Sequence, residues 1–153
     1  MKPAVLFASV TALLLACSLT CAAQEKGYWR AASNTAASIT GDIAFSNSKL
    51  TINFAGFPIA LFRRLTPAET SAVFDADTNT GASATLYRLS VPATRRFLHR
   101  NTLCGTEDTS WAATYVSGKT LEVAFFSGAN EPVFTMDALT NSTDLCGVFT
   151  YVR

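Results

Sequence analysis

The chain has 153 residues, and its 12 lysines and arginines against 11 aspartates and glutamates give a net charge of +1 when the single histidine is neutral. A nearly neutral chain gives no electrostatic support for a nucleic-acid partner or for binding to an anionic membrane surface. One histidine also excludes zinc centres built on several histidines and disfavours histidine-dependent catalysis.

Residues 1–23 have the composition of an export signal. Lys2 gives a positive start, residues 4–16 form a mostly apolar run, and residues 18–23 are mostly small. The apolar run is shorter than the roughly 20 residues that a membrane-spanning helix needs. We therefore predict a cleaved signal peptide over residues 1–23 and a single domain over residues 24–153, placed in the periplasm or outside the cell.

A second processing route competes with this one. Leu14-Leu15-Ala16-Cys17 resembles the site at which bacterial lipoproteins are cut and acylated, which would anchor the protein through Cys17. We favour cleavage after Ala23, because Cys21-Ala22-Ala23 places small residues at both required positions. Loss of Lys2 with the signal leaves eleven basic and eleven acidic residues, so the mature chain is neutral.

The pattern after the signal is dominated by period two, the side-chain repeat of a strand with one buried face. Apolar and polar residues alternate through residues 39–45 and 50–54, on either side of a turn at Ser46-Asn47-Ser48, which predicts a hairpin. Further strands are predicted at residues 85–91, 110–116, 120–126 and 147–152, with weaker candidates at 28–32, 59–65 and 133–136.

Short strands joined mostly by brief polar turns, such as Ser117-Gly118-Lys119, predict an all-β domain. We expect an antiparallel barrel or sandwich of about eight or nine short strands. Every aromatic residue except Phe7 follows the signal, and most of them would fill the interior.

One short helix is predicted between the strands. Thr66 offers a capping hydroxyl, Pro67 suits the first helical position, and Glu69 is placed to reach back to the cap. This capping box predicts a helix from Pro67 to about Phe74, covering one end or edge of the sheet.

Cys104 and Cys146 are the only cysteines that follow the signal. An exported domain matures where thiols are oxidised, so we predict that these two residues form a disulfide bond.

Arginines supply the first candidate site. Residues 63–100 are rich in arginine and residues 101–153 in acids, so the two stretches could pair once folded. Arginine binds carboxylate and phosphate through a planar fork of donors, which predicts an anion-binding or partner-binding face if the cations converge. The members of this predicted face are Arg63, Arg64, Arg95, Arg96, His99 and Arg100.

The second candidate site is a calcium loop over residues 75–81. Asp75, Asp77 and Asn79 place oxygen ligands at alternate positions, as a hard cation prefers. Glycine comes one place later than in an EF-hand, and a helix-ending turn accounts for the same residues. No other cofactor is predicted.

Four segments carry a resemblance to a known family: Leu86-Tyr87-Arg88, residues 101–105, residues 123–128, and Leu145-Cys146-Gly147-Val148-Phe149-Thr150-Tyr151. With its Leu-Cys-Gly and Leu-Cys-Gly-x-Phe-x-Tyr motifs, the chain resembles a family of small exported proteobacterial proteins of unknown function. That resemblance implies a bacterial envelope or secreted protein with Cys104 and Cys146 paired. More remotely, a small disulfide-pinned barrel is similar to periplasmic lysozyme inhibitors, although their Ser-Gly-rich loop is not evident here.

The absence of a catalytic motif leads to the functional prediction. We expect a non-enzymatic exported protein of the bacterial envelope that binds a protein or a small ligand through loops at one end. Two alternatives from other classes are a hydrolase that uses carboxylates and a structural envelope component.

Overall fold

A computed structural model of the protein describes residues 25–77, 79 and 83–153, so the predicted signal peptide and Cys17 lie outside the described residues. Eight strands form a closed antiparallel barrel in which each strand pairs with its neighbours in the chain and β1 closes onto β8. The strands are β1 Gly27–Ala31, β2 Ile43–Phe45, β3 Lys49–Ile52, β4 Ala55–Arg64, β5 Thr85–Val91, β6 Thr109–Ser117, β7 Thr120–Phe126 and β8 Leu145–Val152. The all-β, antiparallel barrel prediction is confirmed.

Among the described residues, three α-helices accompany the barrel: α1 Asn34–Ile39, α2 Pro67–Phe74 and α3 Met136–Thr140. Helix α2 has the predicted bounds and the predicted capping box, in which Thr66 Oγ1 accepts from the Glu69 amide at 3.2 Å and Glu69 Oε2 accepts from the Thr66 amide at 2.8 Å. None of the helices in this part of the chain is long and apolar enough to span a membrane.

Three strand predictions are wrong in part or in whole. Asn53 and Phe54, predicted as the end of the first hairpin, form the turn that follows β3. Residues 39–42, predicted as part of the first hairpin, complete α1 and the turn after it, because Ser33 caps that helix by accepting from the Ala36 amide at 3.1 Å. The weak strand predicted at residues 133–136 is absent, because residues 133–135 form a loop and Met136 begins α3, which Thr135 caps by accepting from the Ala138 amide at 3.2 Å. Hydrogen bonds from a nearby backbone amide to a Ser or Thr side chain, as at these two helix starts, compete with the hydrogen bonds of a strand.

Aromatic side chains occupy the barrel interior. Trp29, Phe125, Phe149 and Tyr151 are fully buried, and the rings of Phe125 and Phe149 meet edge to face at 5.2 Å. The polar atoms of two of these rings have partners, since Trp29 Nε1 donates to the Glu25 carbonyl at 2.6 Å and the Tyr151 hydroxyl lies 2.7 Å from Thr40 Oγ1. The interior of an eight-stranded barrel is just wide enough for side chains to fill it.

A second apolar cluster covers the outer face of β5, β6 and β7. Phe74 of α2 stacks on Tyr115 of β6, and Phe134 of the β7–β8 loop meets Phe126 of β7 edge to face at 5.7 Å. Arg63 links α2 to the β7–β8 loop, because it forms ion pairs with Glu69 of α2 at 2.8 Å and with Glu131 of that loop at 2.5 Å. The second pair joins the arginine-rich and acidic stretches, as predicted.

The side-chain hydrogen bonds that Glu69 accepts from Arg63, helped by the bond from the Thr66 amide, lower the pKa of Glu69 from its ordinary 4.5 to about 2. A carboxylate whose folded pKa is depressed stabilises the fold above its ordinary pKa and loses that contribution as the pH falls. Between pH 5 and pH 2 we therefore expect wild type to lose about 1 to 2 kcal/mol more unfolding free energy than an Arg63→Met variant, after allowance for solvent screening of this partly exposed pair. Urea denaturation across that range measures the difference, and parallel losses in the two proteins would contradict it.

Because neighbouring strands run in opposite directions, the connections between strands alternate between the two ends of the barrel. The α1 end carries α1 and the β3–β4, β5–β6 and β7–β8 connections, whereas the α2 end carries α2 and the β2–β3 and β6–β7 turns. The predicted disulfide is present, with the Cα atoms of Cys104 and Cys146 5.0 Å apart, and it joins the β5–β6 loop to the start of β8. This bond is compatible with an oxidising compartment.

Candidate functional site

A cavity of about 360 Å³ lies on the outer rim of the barrel at the α1 end. Strand β1, the α1–β2 connection, the start of β2, the end of β3, the β3–β4 turn and the β5–β6 loop all contribute to its wall. We call it the rim pocket, and its lining residues are Tyr28, Thr40, Gly41, Asp42, Ala44, Thr51, Asn53, Phe54 and Leu98.

Small residues on the outer face of the sheet form the floor of the rim pocket. Ala44 of β2 is the register partner of both Tyr28 and Thr51, so two short side chains lie beside the large ring of Tyr28. Leu98 forms part of the wall by packing on Gly41, where a Cβ atom would lie 3.0 Å from Leu98 Cδ1. Gly41 also has a φ of +62°, so both the space and the backbone favour glycine there.

Phe54 occupies a turn position that normally suits glycine. Asn53 and Phe54 form the two-residue loop between β3 and β4, with φ values of 46° and 64°. A left-handed conformation at a residue with a bulky side chain costs roughly 1 to 2 kcal/mol, and such hairpin loops favour Asn-Gly. The Phe54 side chain is fully exposed, so burial of its own ring does not offset that cost.

A second turn at the same end repeats this backbone feature. His99 and Arg100, both exposed, have φ values of 52° and 64° in the turn that follows Leu98. We call Asn53-Phe54 and His99-Arg100 the rim turns. Of the five non-glycine residues with positive φ in the described chain, four belong to these turns, and the fifth, Asp75, caps α2. Backbone strain of this kind concentrates at functional sites.

Asp42 holds the ring of Tyr28 at the edge of the rim pocket. The Tyr28 hydroxyl donates to Asp42 Oδ2, and Asp42 Oδ1 accepts from the Ala31 amide at 2.9 Å. These two hydrogen bonds lower the pKa of the Asp42 carboxyl, and the bond to Asp42 raises the pKa of the Tyr28 phenol. At neutral pH the pair is therefore a carboxylate and a neutral phenol, which suits positioning of the ring more than proton transfer.

The structure separates the six predicted cationic residues into two groups. Arg63 and Arg64 end β4 at the α2 end, whereas Arg95, Arg96, His99 and Arg100 lie in the β5–β6 loop at the α1 end. Arg64 is the register partner of Thr85, and β5 runs from there to Val91, about 20 Å further along the barrel. The structure does not bring the two groups together into one face.

The two groups also differ in their partners. Arg63 is occupied by Glu69 and Glu131, and Arg64 Nη1 donates to Ser83 Oγ at 3.3 Å. In the loop, Arg95 lies about 6 Å from the rings of Phe57 and Phe97, and Arg96 Nη1 donates to the Ala93 carbonyl at 2.7 Å. Across residues 25–77, 79 and 83–153, ion pairs with carboxylates form only at Arg63.

The predicted calcium ligands lie at the end of α2. Asp75 caps the helix with a φ of 52°, and Asp77 Oδ1 accepts from the amide and the side chain of Asn79, both at 2.9 Å. Thr78, Thr80 and Gly81 of the same loop lie outside the described residues. No group of three or more His, Cys, Asp or Glu side chains in the described chain could hold a metal ion, and calcium binding stays a prediction.

Sequence reasoning missed the aromatic part of this site. Alternation predicts a strand that ends at Phe54, and aromatic and β-branched composition predicts a weaker strand that begins at Tyr28. Neither signal tells which rings remain outside the barrel. The available signal was Asn53 between two alternating runs, since Asn is favoured in two-residue hairpin loops. A turn ending at Phe54 would have marked that ring as exposed.

Comparison of the chain with protein-family models, with curated proteins and with solved structures found no match. The resemblance to exported proteobacterial proteins and to lysozyme inhibitors therefore stays a hypothesis.

Proposed function

We propose that this protein is an exported, non-enzymatic binding protein of the bacterial envelope, and that the rim pocket and rim turns contact a protein partner. The observation that carries the proposal is the fully exposed ring of Phe54 on a left-handed turn. Phe stands at a position where Gly would fold more easily, which favours a role for the ring outside the folded chain.

The openness of the site favours a protein over a small ligand. Tyr28 is 60 % exposed and Phe54 is fully exposed, so the two largest side chains of the rim pocket project beyond it. Small-molecule sites usually bury 70 to 90 % of their ligand, whereas these two rings face mostly into solvent. A protein surface can cover both rings at once, and aromatic residues are enriched among the residues that dominate such interfaces.

The proposed location rests on the sequence and the disulfide together. The signal-like residues 1–23 support export, and the Cys104–Cys146 bond is compatible with the periplasm or the cell exterior. Cleavage after Ala23 would release the barrel, and acylation at Cys17 would tether it to a membrane.

Photo-cross-linking tests the proposed interaction surface. A benzoylphenylalanine in place of Phe54 should give a discrete cross-linked protein in cells that make the barrel, and the same group in place of Lys119 should not. Lys119 is an exposed residue in the β6–β7 turn at the α2 end, so it reports background contacts. We expect Tyr28→Ala to reduce the product from position 54, because loss of its ring removes part of the same surface. Equal products from both positions, or none from position 54, would contradict the proposal.

An activity screen on glycans and esters tests the alternative class. The proposal requires that no turnover depends on a single acidic side chain. If turnover is found and one Asp→Asn or Glu→Gln substitution abolishes it, the protein is a carboxylate-dependent hydrolase and the proposed binding function is wrong.

A further inference from the structure

The surroundings of the rim pocket are positively charged. Leu98 lines the pocket, and the next two residues, His99 and Arg100, form a rim turn with exposed side chains. On the β1 side, Arg30 is exposed and acts electrostatically on Asp42. Neither Arg30 nor Arg100 has a carboxylate within ion-pair distance in the described part of the chain.

Two carboxylates near this rim, Asp42 and Asp108, accept hydrogen bonds from neutral donors. Asp42 is the one charged residue that lines the rim pocket, and it accepts from the Tyr28 hydroxyl and the Ala31 amide. In the β5–β6 loop, Asp108 Oδ1 accepts from the Ala93 amide at 2.7 Å, and both Glu107 and Asp108 line a separate cavity with Arg88. Asp42 keeps its one negative charge, since both of its donors are neutral, whereas Arg30 and Arg100 bring two exposed positive charges that no ion pair in the described residues occupies.

The rim pocket itself suits an apolar group. Tyr28, Phe54 and Leu98 provide large apolar surfaces around the small side chain of Ala44. An enclosed cavity of about 150 Å³ is enough to hold a benzene ring, so this open pocket of about 360 Å³ has room for a bulky side chain.

This inference rests on the proposed function and concerns the chemistry of the partner segment that binds at the rim pocket. We propose that the partner presents an acidic peptide segment, with one bulky apolar side chain in the rim pocket and carboxylates beside Arg100 and Arg30. Arginine donates in pairs to a carboxylate, and complementary charge at a rim speeds association and selects among partners.

Three labelled peptides test this inference on the mature barrel with its disulfide intact. The first alternates glutamate with serine around a central phenylalanine, the second replaces every glutamate with lysine, and the third replaces the phenylalanine with serine. Fluorescence anisotropy should show tightest binding for the first peptide, weakening as salt rises because exposed charges are screened. The other two peptides should bind more weakly than the first.

Matched arginine variants assign the charge effect to the rim. Arg100→Ala should weaken binding of the first peptide about two- to five-fold, the range of one exposed ion pair. Alanine keeps a side chain at the same left-handed position, so the backbone strain is unchanged. Arg64→Ala removes an exposed arginine at the α2 end and should leave the affinity as it is.

The outcomes separate this inference from the proposed function. Preference for the lysine peptide, equal effects of the two arginine variants, or no measurable binding of the acidic peptide would overturn the acidic-segment inference. A cross-link from position 54 would then still support the interaction surface. If that cross-link is also absent, the proposed function fails with it.

Discussion

Replacing both Cys104 and Cys146 with serine is expected to lower the free energy of unfolding by roughly 4 kcal/mol. The bond joins residues 42 positions apart, so its loss restores the conformational entropy of a long loop in the unfolded chain. For a domain of this size the expected fall in melting temperature is about 10 to 15 °C. Thermal and urea denaturation of the oxidised wild type and the double variant measure the difference.

Reductant supplies the control for this prediction. Reduced wild type should unfold close to the double variant, and the double variant should not respond to reductant at all. A denaturation midpoint that is the same in oxidised and reduced wild type would contradict a stabilising role for the bond.

The disulfide also belongs to the framework of the rim. Cys104 lies in the same β5–β6 loop as Leu98 and the His99-Arg100 turn. That loop is held further by Asn101 Nδ2, which donates to the Ser38 carbonyl of α1 at 3.0 Å. Binding measured on the double variant should therefore weaken beyond what the Arg100→Ala variant shows, because several rim residues lose their support together.

Local sequence signals predicted most of the barrel. Strands β5 and β7 have the predicted bounds because alternation and β-branched residues act within each segment. Helix α2 was predictable because its cap, first proline and Glu69 are adjacent in the chain. Helices α1 and α3 are only one to two turns long and lie beside apolar alternation, which a period-two reading assigns to strands.

The candidate site was less predictable because it depends on strand direction and closure. Arg64 and Arg95 look equivalent as exposed arginines in the sequence, yet antiparallel pairing of β4 and β5 sends them to opposite ends. Tyr28 and Trp29 are adjacent aromatic residues on β1, and the register decides that Trp29 enters the core while Tyr28 stays outside. Alternation fixes which residues share a face, and only closure of the barrel decides which face is inside.

Phe54→Gly is expected to separate partner binding from stability. Loss of a central exposed ring should weaken binding of the partner by about 30-fold, the effect of a dominant interface residue. Glycine adopts the φ of 64° without strain, and the gain is partly offset by its greater freedom in the unfolded chain. We therefore expect unchanged stability or a gain of about 1 kcal/mol. Urea denaturation and anisotropy with the acidic peptide measure the two quantities on the same protein.

Phe54→Ala is the matched control, because alanine removes the ring and keeps the side-chain strain at the left-handed position. It should weaken binding as much as Phe54→Gly and should lack the gain in stability. If both variants destabilise the barrel by a similar amount, the ring serves the fold, and the interpretation of the strained turn as a binding feature is wrong. Unchanged peptide and partner binding in both variants would remove Phe54 from the interaction surface altogether.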